Sequence, residues 1–258
     1  MAYGDGVFET MRVHDGNIPL WSFHLKRLRH ALATLHIDAD VASIEKDSLS
    51  LAAQHKSGVL KLTVARSGGG RGYDARTARD VATSLRYFPA PVYSKSRQQD
   101  GVRLYICQQR LSWNPVLAGI KHLNRLDNVL AASEWNRDWA DEGLLLDNSG
   151  AVIEGTMSNL FVVRHGSLAT PSLSHCGVAG VMRALIMQEL AKKSGFALRE
   201  MRLTLADVLS ADECFVCNSI FGIWPVRSIG VSAMPDQKPA SMKLISYLQS
   251  YGYGDLYV

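Results

Sequence analysis

Among its 258 residues the sequence has no run of eighteen apolar ones, so no stretch is built to cross a bilayer as a helix. Its first residues, Met-Ala-Tyr-Gly-Asp-Gly, have neither a basic start nor an apolar signal core. A cytoplasmic protein without membrane contact is expected. Cysteine is scarce: Cys107, Cys176, Cys214 and Cys217 lack the spacing of a secreted disulfide framework. Cys214 and Cys217 are spaced like a redox pair, but the run 213–223 is apolar and buried thiols are expected there. Charge of one sign is also lacking. The 28 basic and 24 acidic side chains leave +4, enough to attract an anionic metabolite but not the concentrated field of a nucleic-acid binder. The eight histidines form no His-Glu-x-x-His and no cluster with cysteine, so no metal is expected. There is no Gly-x-Ser-x-Gly turn to anchor a hydrolase triad. The glycine run 68–72 lacks the Gly-Lys-Ser/Thr ending of a phosphate loop.

What is present is ordinary globular material, 47% hydrophobic and 20% charged, in a length suited to one large or two small domains. Residues 7–13 alternate weakly and are closed by His14-Asp15-Gly16-Asn17, a hairpin signal. Ser22 can cap a helix with Leu25, Leu28, Leu32 and Leu35 on one face. A second helix is expected over 41–55, and a strand of clean period two over 58–65. Strands near 83–88 and 102–108 complete a first unit ending near Arg110. Residues 111–119 have no period and contain a proline, as an interdomain linker would. A helix over 124–139 follows, with Leu126, Val129, Leu130 and Ser133 on one face. The turns Asn148-Ser149-Gly150 and His165-Gly166 are each flanked by a pair of strands, 143–147 with 151–154 and 160–163 with 168–170. A helix over 181–194, a strand over 214–217 and a helix over 242–248 complete the chain, without internal repeats. The expectation is a mixed α/β (α+β) protein. Residues 1–110 form a small N-terminal α/β domain, 111–119 a linker and 120–258 a larger C-terminal mixed domain.

Three features could carry chemistry. Lys121 sits between the irregular linker and a helix, flanked mainly by apolar residues. Desolvation there would disfavour its ammonium form, and a neutral amine is what bonding to an aldehyde requires. A solvated surface lysine is the plainer alternative. Glu154 ends a strand before the small turn Gly155-Thr156-Met157-Ser158. It is either simple punctuation or a partner for a cationic ring nitrogen. Residues 176–183 form a glycine-bearing turn that opens into a helix, whose first amides could take an anion; Arg183 there is expected to point to water. A lysine, a strand-edge carboxylate and a helix start are together what pyridoxal phosphate needs.

The stretch Glu154-Gly155-Thr156-Met157-Ser158-Asn159-Leu160-Phe161-Val162-Val163, then Thr170-Pro171, then Gly177-Val178-Ala179-Gly180-Val181-Met182-Arg183, resembles the fold-type IV pyridoxal phosphate enzymes. That class includes branched-chain aminotransferases, D-amino-acid aminotransferases and 4-amino-4-deoxychorismate lyases. Ala211-Asp212-Glu213-Cys214-Phe215 and Pro225-Val226 match in order and spacing, and the likeness runs from Tyr3-Gly4-Asp5-Gly6-Val7-Phe8-Glu9-Thr10 onward. Within the class, Leu117-Ala118-Gly119-Ile120-Lys121-His122-Leu123-Asn124-Arg125-Leu126 and Arg66-Ser67-Gly68-Gly69-Gly70-Arg71-Gly72-Tyr73 are similar to the lyases. Relatives usually begin with a further strand and turn before Tyr3-Gly4-Asp5-Gly6, so either the start is assigned late or the small domain has lost an edge strand and would expose unpaired backbone.

The resemblance implies two domains with the cofactor, pyridoxal 5'-phosphate, at their interface. It implies that Lys121 bonds the cofactor and moves protons, and that Glu154 faces the pyridine nitrogen. Arg27, the backbone amides of Val181 and Met182, and Ser219 would serve the phosphate. Met182 lacks the hydroxyl that aminotransferases usually have there, and the role of Asn218 is open. The implied reaction converts 4-amino-4-deoxychorismate, a small anionic substrate, to 4-aminobenzoate and pyruvate in folate biosynthesis. Arg71, Arg103 and Arg110 are candidates for its two carboxylates. A homodimer is implied as well. The alternatives are an aminotransferase of D-amino or branched-chain amino acids, and a non-catalytic binding protein on the same scaffold. Retention of both Lys121 and Glu154 argues against the last.

Overall fold

The computed structural model describes residues 3–68, 73–78, 80–136 and 138–253. Most of the glycine run, with Arg71, lies outside the described residues. The chain divides into two compact units, Met1–Pro91 with Ile120–Arg125, and Val92–Gly119 with Leu126–Val258.

In the first unit, β1 (Gly6–His14), β2 (Ser57–Ser67) and β3 (Asp80–Phe88) form an antiparallel sheet in that order. Alternate residues point to opposite faces, so Val7, Met11, Leu60, Leu62 and Val64 form one apolar face. Two helices cover that face. α1 (Trp21–Thr34) buries His24, Leu28, Ala31 and Leu32. α2 (Val41–Ala52) buries Ile44, Ser48 and Ala52, and Asp40 caps it by accepting the Ser43 amide at 3.0 Å. Ser22 is not the cap of α1. The cap position lies two residues earlier, at Leu20, with no side-chain cap bond. The turn at Asp15-Gly16 is real, with φ of 45° and 76°, but leads into α1 rather than back along a hairpin. The partner of β1 is β2. Its other edge is covered at Gly6–Phe8, where Phe8 N–H donates to Lys121 O at 3.0 Å and Leu123 N–H to Gly6 O at 2.9 Å.

In the second unit, β4 (Val102–Leu111) runs parallel to β5 (Glu142–Asp147) and to β12 (Gly222–Ile229). This corrects the boundary drawn at Arg110: β4 is an interior strand of the second unit's sheet, and 120–125 return to the first. β6 (Ala151–Gly155), β7 (Asn159–Arg164) and β11 (Glu213–Asn218) complete the order β6-β5-β4-β12-β11-β7. A single pair, Glu154 opposite Asn159, joins β6 to β7 and closes these strands into a ring. Phe161 stacks on Phe215 at 5.1 Å on one face of these strands, and Trp224, on the other face, stacks on Phe221 at 3.7 Å. β8 (Ser167–Pro171) continues the sheet from β7 through the His165-Gly166 turn, and β9 (Leu198–Met201) runs parallel to β8. β10 (Leu203–Thr204) pairs with β6, and the single turn α3 (Ser96–Gln99) precedes β4.

α4 (Leu126–Ala132) ends well short of Trp139. Its buried residue is Ala131, whereas Leu126, Val129 and Leu130 are 73%, 56% and 55% exposed. The run 181–193 is helical throughout, α5 (Val181–Leu185) passing through a π turn at Ile186–Leu190 into α6 (Ala191–Lys193). The four cysteines are free and buried, as expected for Cys214 and Cys217. Burial raises the thiols of Cys214 and Cys217, and together with the charges of Glu134 and Glu142 pushes Cys107 up to about 12. None of these three is poised as a thiolate. Among the described residues no helix is long and apolar enough to cross a membrane, and no cluster could hold a metal.

Candidate active site

The first unit holds Lys121 by its backbone. With the Phe8 and Leu123 amides bonded as above and Val7 bridged to His122, residues 121–123 form a short extra strand along β1. The Lys121 side chain then lies over Phe8, its Nζ 4.3 Å from the ring centroid. Arg125 braces the same segment, its Nε donating to the His122 carbonyl at 3.2 Å.

On the helix side of β1, Glu9 is buried with His24 and Arg27 of α1 around it. Arg27 grips Glu9 with two donors, Nε to Oε1 at 2.8 Å and Nη2 to Oε2 at 2.5 Å. His24 Nδ1 meets Oε2 at 2.6 Å. Burial alone would raise the Glu9 carboxyl, but the charge and hydrogen bonds of Arg27, with help from His24, hold it down at about 2. Burial lowers His24, and the positive charges of Arg27 and Lys121 act the same way against the pull of Glu9. A neutral His24 therefore donates to an ionised Glu9. Neither residue stands out in sequence; the one signal was a glutamate placed in an otherwise inward-facing row of β1.

The second unit holds Glu154 at the seam between β6 and β7, 3% exposed. Its Oε2 accepts the Val178 amide at 2.8 Å and Asn159 Nδ2 at 3.5 Å. Asn159 also donates to Val178 O at 2.8 Å and accepts the Gly180 amide at 3.0 Å. One buried asparagine thus ties the carboxylate to the residues that start α5. A Cβ on Gly180 would lie 2.1 Å from Asn159 Oδ1, and one on Gly177 2.7 Å from Ile153, so both positions need glycine. Val181 and Met182 are buried at the head of the helix, where their amides have no acceptor within the helix. Arg183 does not point to water: it is buried, with Glu200 at 3.0 Å and Pro171 O at 3.1 Å.

Ser219 follows β11 in a turn built by Asn218, whose Oδ1 accepts the amides of Ile220 and Phe221, each at 2.9 Å. Asn218 Nδ2 donates to Met157 O at 3.1 Å, and Tyr253 donates to Ser219 O at 2.7 Å. The residue whose role the sequence left open thus joins the 218–221 turn to the one that follows Glu154. Arg103 is engaged by Asp141 at 3.2 Å and by Asp138 O at 2.8 Å. Arg110 donates to the carbonyls of Cys107 and Gln108. Both guanidiniums serve the second unit's own scaffold.

Comparisons with known proteins give the family. The aminodeoxychorismate lyase of Vibrio harveyi is 36% identical over 237 residues, 92% of this chain and 86% of that protein. The crystal structure of 4-amino-4-deoxychorismate lyase from Pseudomonas aeruginosa superposes with a TM-score of 0.89 at 43% identity, covering 96% of this chain and 92% of that one. The D-alanine aminotransferase of Bacillus licheniformis is 29% identical over 231 residues, 88% of this chain and 80% of its own. The family model for amino-transferase class IV matches residues 6–229, and with it the lysine, the seam carboxylate and the helix start just described, so the chain belongs to the amino-transferase class IV family.

Proposed function

We propose that this enzyme is a carbon–oxygen lyase that converts 4-amino-4-deoxychorismate to 4-aminobenzoate and pyruvate, a step toward folate. The family depends on pyridoxal 5'-phosphate. The residues present fit that cofactor. Its aldehyde needs an amine, its pyridine nitrogen a carboxylate and its phosphate a cation with amide donors. Lys121, the buried Glu154, and Arg27 with the amides of Val181 and Met182 supply these in turn, and Ser219 adds a hydroxyl. Bound there, the cofactor draws electrons from the carbon that bears the substrate nitrogen.

The observation that carries this reading is the pinning of Lys121 along β1, which fixes one amine where a proton has to move. Uncharged Lys121 Nζ takes the proton from the ring carbon beside the nitrogen. The bond from the adjacent carbon to the enolpyruvyl oxygen breaks, and the ring becomes aromatic. The same lysine returns a proton to the enolpyruvyl methylene, giving pyruvate. Glu154 keeps the ring nitrogen protonated, and its bond from Val178 holds the carboxylate still. The choice of lyase over aminotransferase rests on likeness to two named lyases over nine-tenths of the chain.

Two coarser features support the rest of the reading. The outward face of Leu126, Val129 and Leu130 favours a homodimer, because an apolar stripe on α4 is otherwise left in water. Four buried thiols suit the reducing cytoplasm. The deciding experiment is incubation of the holoenzyme with aminodeoxychorismate and no keto acid. Pyruvate and 4-aminobenzoate are expected in equal amounts. Amino transfer to 2-oxoglutarate without pyruvate would replace the lyase with an aminotransferase. Lys121→Ala should keep cofactor through the phosphate contacts and lose turnover by at least about a thousandfold.

A further inference from the structure

The face of the first sheet turned away from α1 and α2 carries a second, unexplained concentration of positive charge. Cross-strand partners share a face. Thr10, Lys61 and Arg86 lie directly opposite one another on β1, β2 and β3, and the adjacent row is Phe8, Thr63 and Ser84. Lys121 joins this face through Phe8. Lys61 Nζ is 5.7 Å from the centroid of that same ring. Two lysine side chains therefore share one aromatic ring, and a guanidinium stands opposite the second. Lys61 and Arg86 are exposed and have no acidic partner among the described residues. None of the positions in these two rows is an acid. Like charges set directly opposite across a sheet are unfavourable unless an anion answers them.

We propose that Lys61, flanked by Arg86, binds the ring carboxylate of the substrate. This rests on the proposed reaction and extends it, since neither residue belongs to the cofactor's own set. The substrate is a six-membered ring with its amine at one end and this carboxylate at the other. Laid along Phe8, it presents the amine to Lys121 and the carboxylate to Lys61. Thr10 and Thr63, the neighbours of Lys61 in these two rows, add hydroxyls of the right chemistry for the same oxygens. Arg103 and Arg110, engaged elsewhere, are then not needed for this end of the molecule.

The test is binding to the holoenzyme of 4-aminobenzoate and of 4-aminobenzamide, which keeps the ring and amine but has no carboxylate charge. Lys61→Met should weaken 4-aminobenzoate about tenfold and leave the amide within about twofold, and Lys61→Arg should restore the anion. Cofactor content and the absorbance of the bound cofactor should match the wild type in both variants, which separates a lost subsite from a damaged fold. KM for aminodeoxychorismate should rise in Lys61→Met in step with the loss of anion binding. Unchanged 4-aminobenzoate binding in Lys61→Met, or equal weakening of both ligands, would overturn the proposal. Because this arm reads binding, a wild-type enzyme that binds 4-aminobenzoate yet releases no pyruvate would sink the lyase reading alone, and the Lys61 comparison would still be decided.

Discussion

Each unit buries a carboxylate, and the two are held in opposite ways. Glu9 in the first unit meets a guanidinium through two hydrogen bonds and a histidine through a third. Glu142 in the second unit meets only neutral donors. Gly143 N–H at 2.9 Å, Thr156 N–H at 3.1 Å and the Thr156 hydroxyl reach Oε1; Met157 N–H at 3.3 Å and Ser158 Oγ at 2.9 Å reach Oε2. Burial pushes both carboxyls up. Glu9 nevertheless falls to about 2, whereas Glu142 stays raised in spite of its five donors. At Glu142 five neutral donors do not offset the loss of water around the buried carboxylate, whereas at Glu9 one full opposite charge at close range does. The two serve different ends. Glu9 orients a cation proposed for the phosphate, and Glu142 gathers the turn that follows Glu154.

The comparison is broken most easily at Glu9. Glu9→Gln leaves the Arg27 charge buried without its counterpart, and should lower stability by about 4 kcal/mol in chemical unfolding. A loss within about 1 kcal/mol would mean that Arg27 reaches water and that the pair is ordinary. The acid side of the profile gives the next largest effect. A carboxyl depressed from 4.5 to about 2 contributes about 3 kcal/mol above its unfolded value, lost as pH falls from 4.5 toward 2. The gap between wild type and Glu9→Gln should therefore be constant near neutrality and narrow through that window. A gap that stays level down to pH 2 would show that Glu9 is not depressed.

Much of this was legible in the sequence where local rules decide. The strands about Asn148-Ser149-Gly150 and His165-Gly166 form antiparallel pairs because left-handed glycines fix those turns. The period-two run after Gly58 is β2, and the helix entered at Gly180 is real. What escaped depends on distant partners. Periodicity grouped Leu126, Val129 and Leu130 correctly but is silent on whether a face looks into a core or out of it. β4 was assigned to the wrong unit because its partners, β5 and β12, lie some 40 and 120 residues further on, roughly, and crossover pairing leaves no local mark. At the site, Lys121 and Glu154 stood out by chemical type. Asn159, Asn218 and Lys61 did not, since the contacts of the first two, and the role proposed for the third, come from register across strands and from turns brought together by the ring.

The smallest expected effect sharpens the comparison at Glu142. Glu142→Gln removes a charge that the site already disfavours and keeps one oxygen to accept from Gly143 and Thr156. The new amide group faces the Met157 N–H, a donor set against a donor, and the Ser158 hydroxyl can turn to accept instead. The net cost should be about 1 kcal/mol, well below that of Glu9→Gln. Its pH dependence should carry the opposite sign. Because the folded Glu142 carboxyl titrates above its ordinary value, wild type gains most over the variant below that ordinary value and loses ground as pH rises through the folded one. If Glu142→Gln instead costs as much as Glu9→Gln, and its gap to wild type widens with rising pH, then the turn at 155–158 is held by a full negative charge. The contrast between a carboxylate held by a cation and one held by dipoles would then fail.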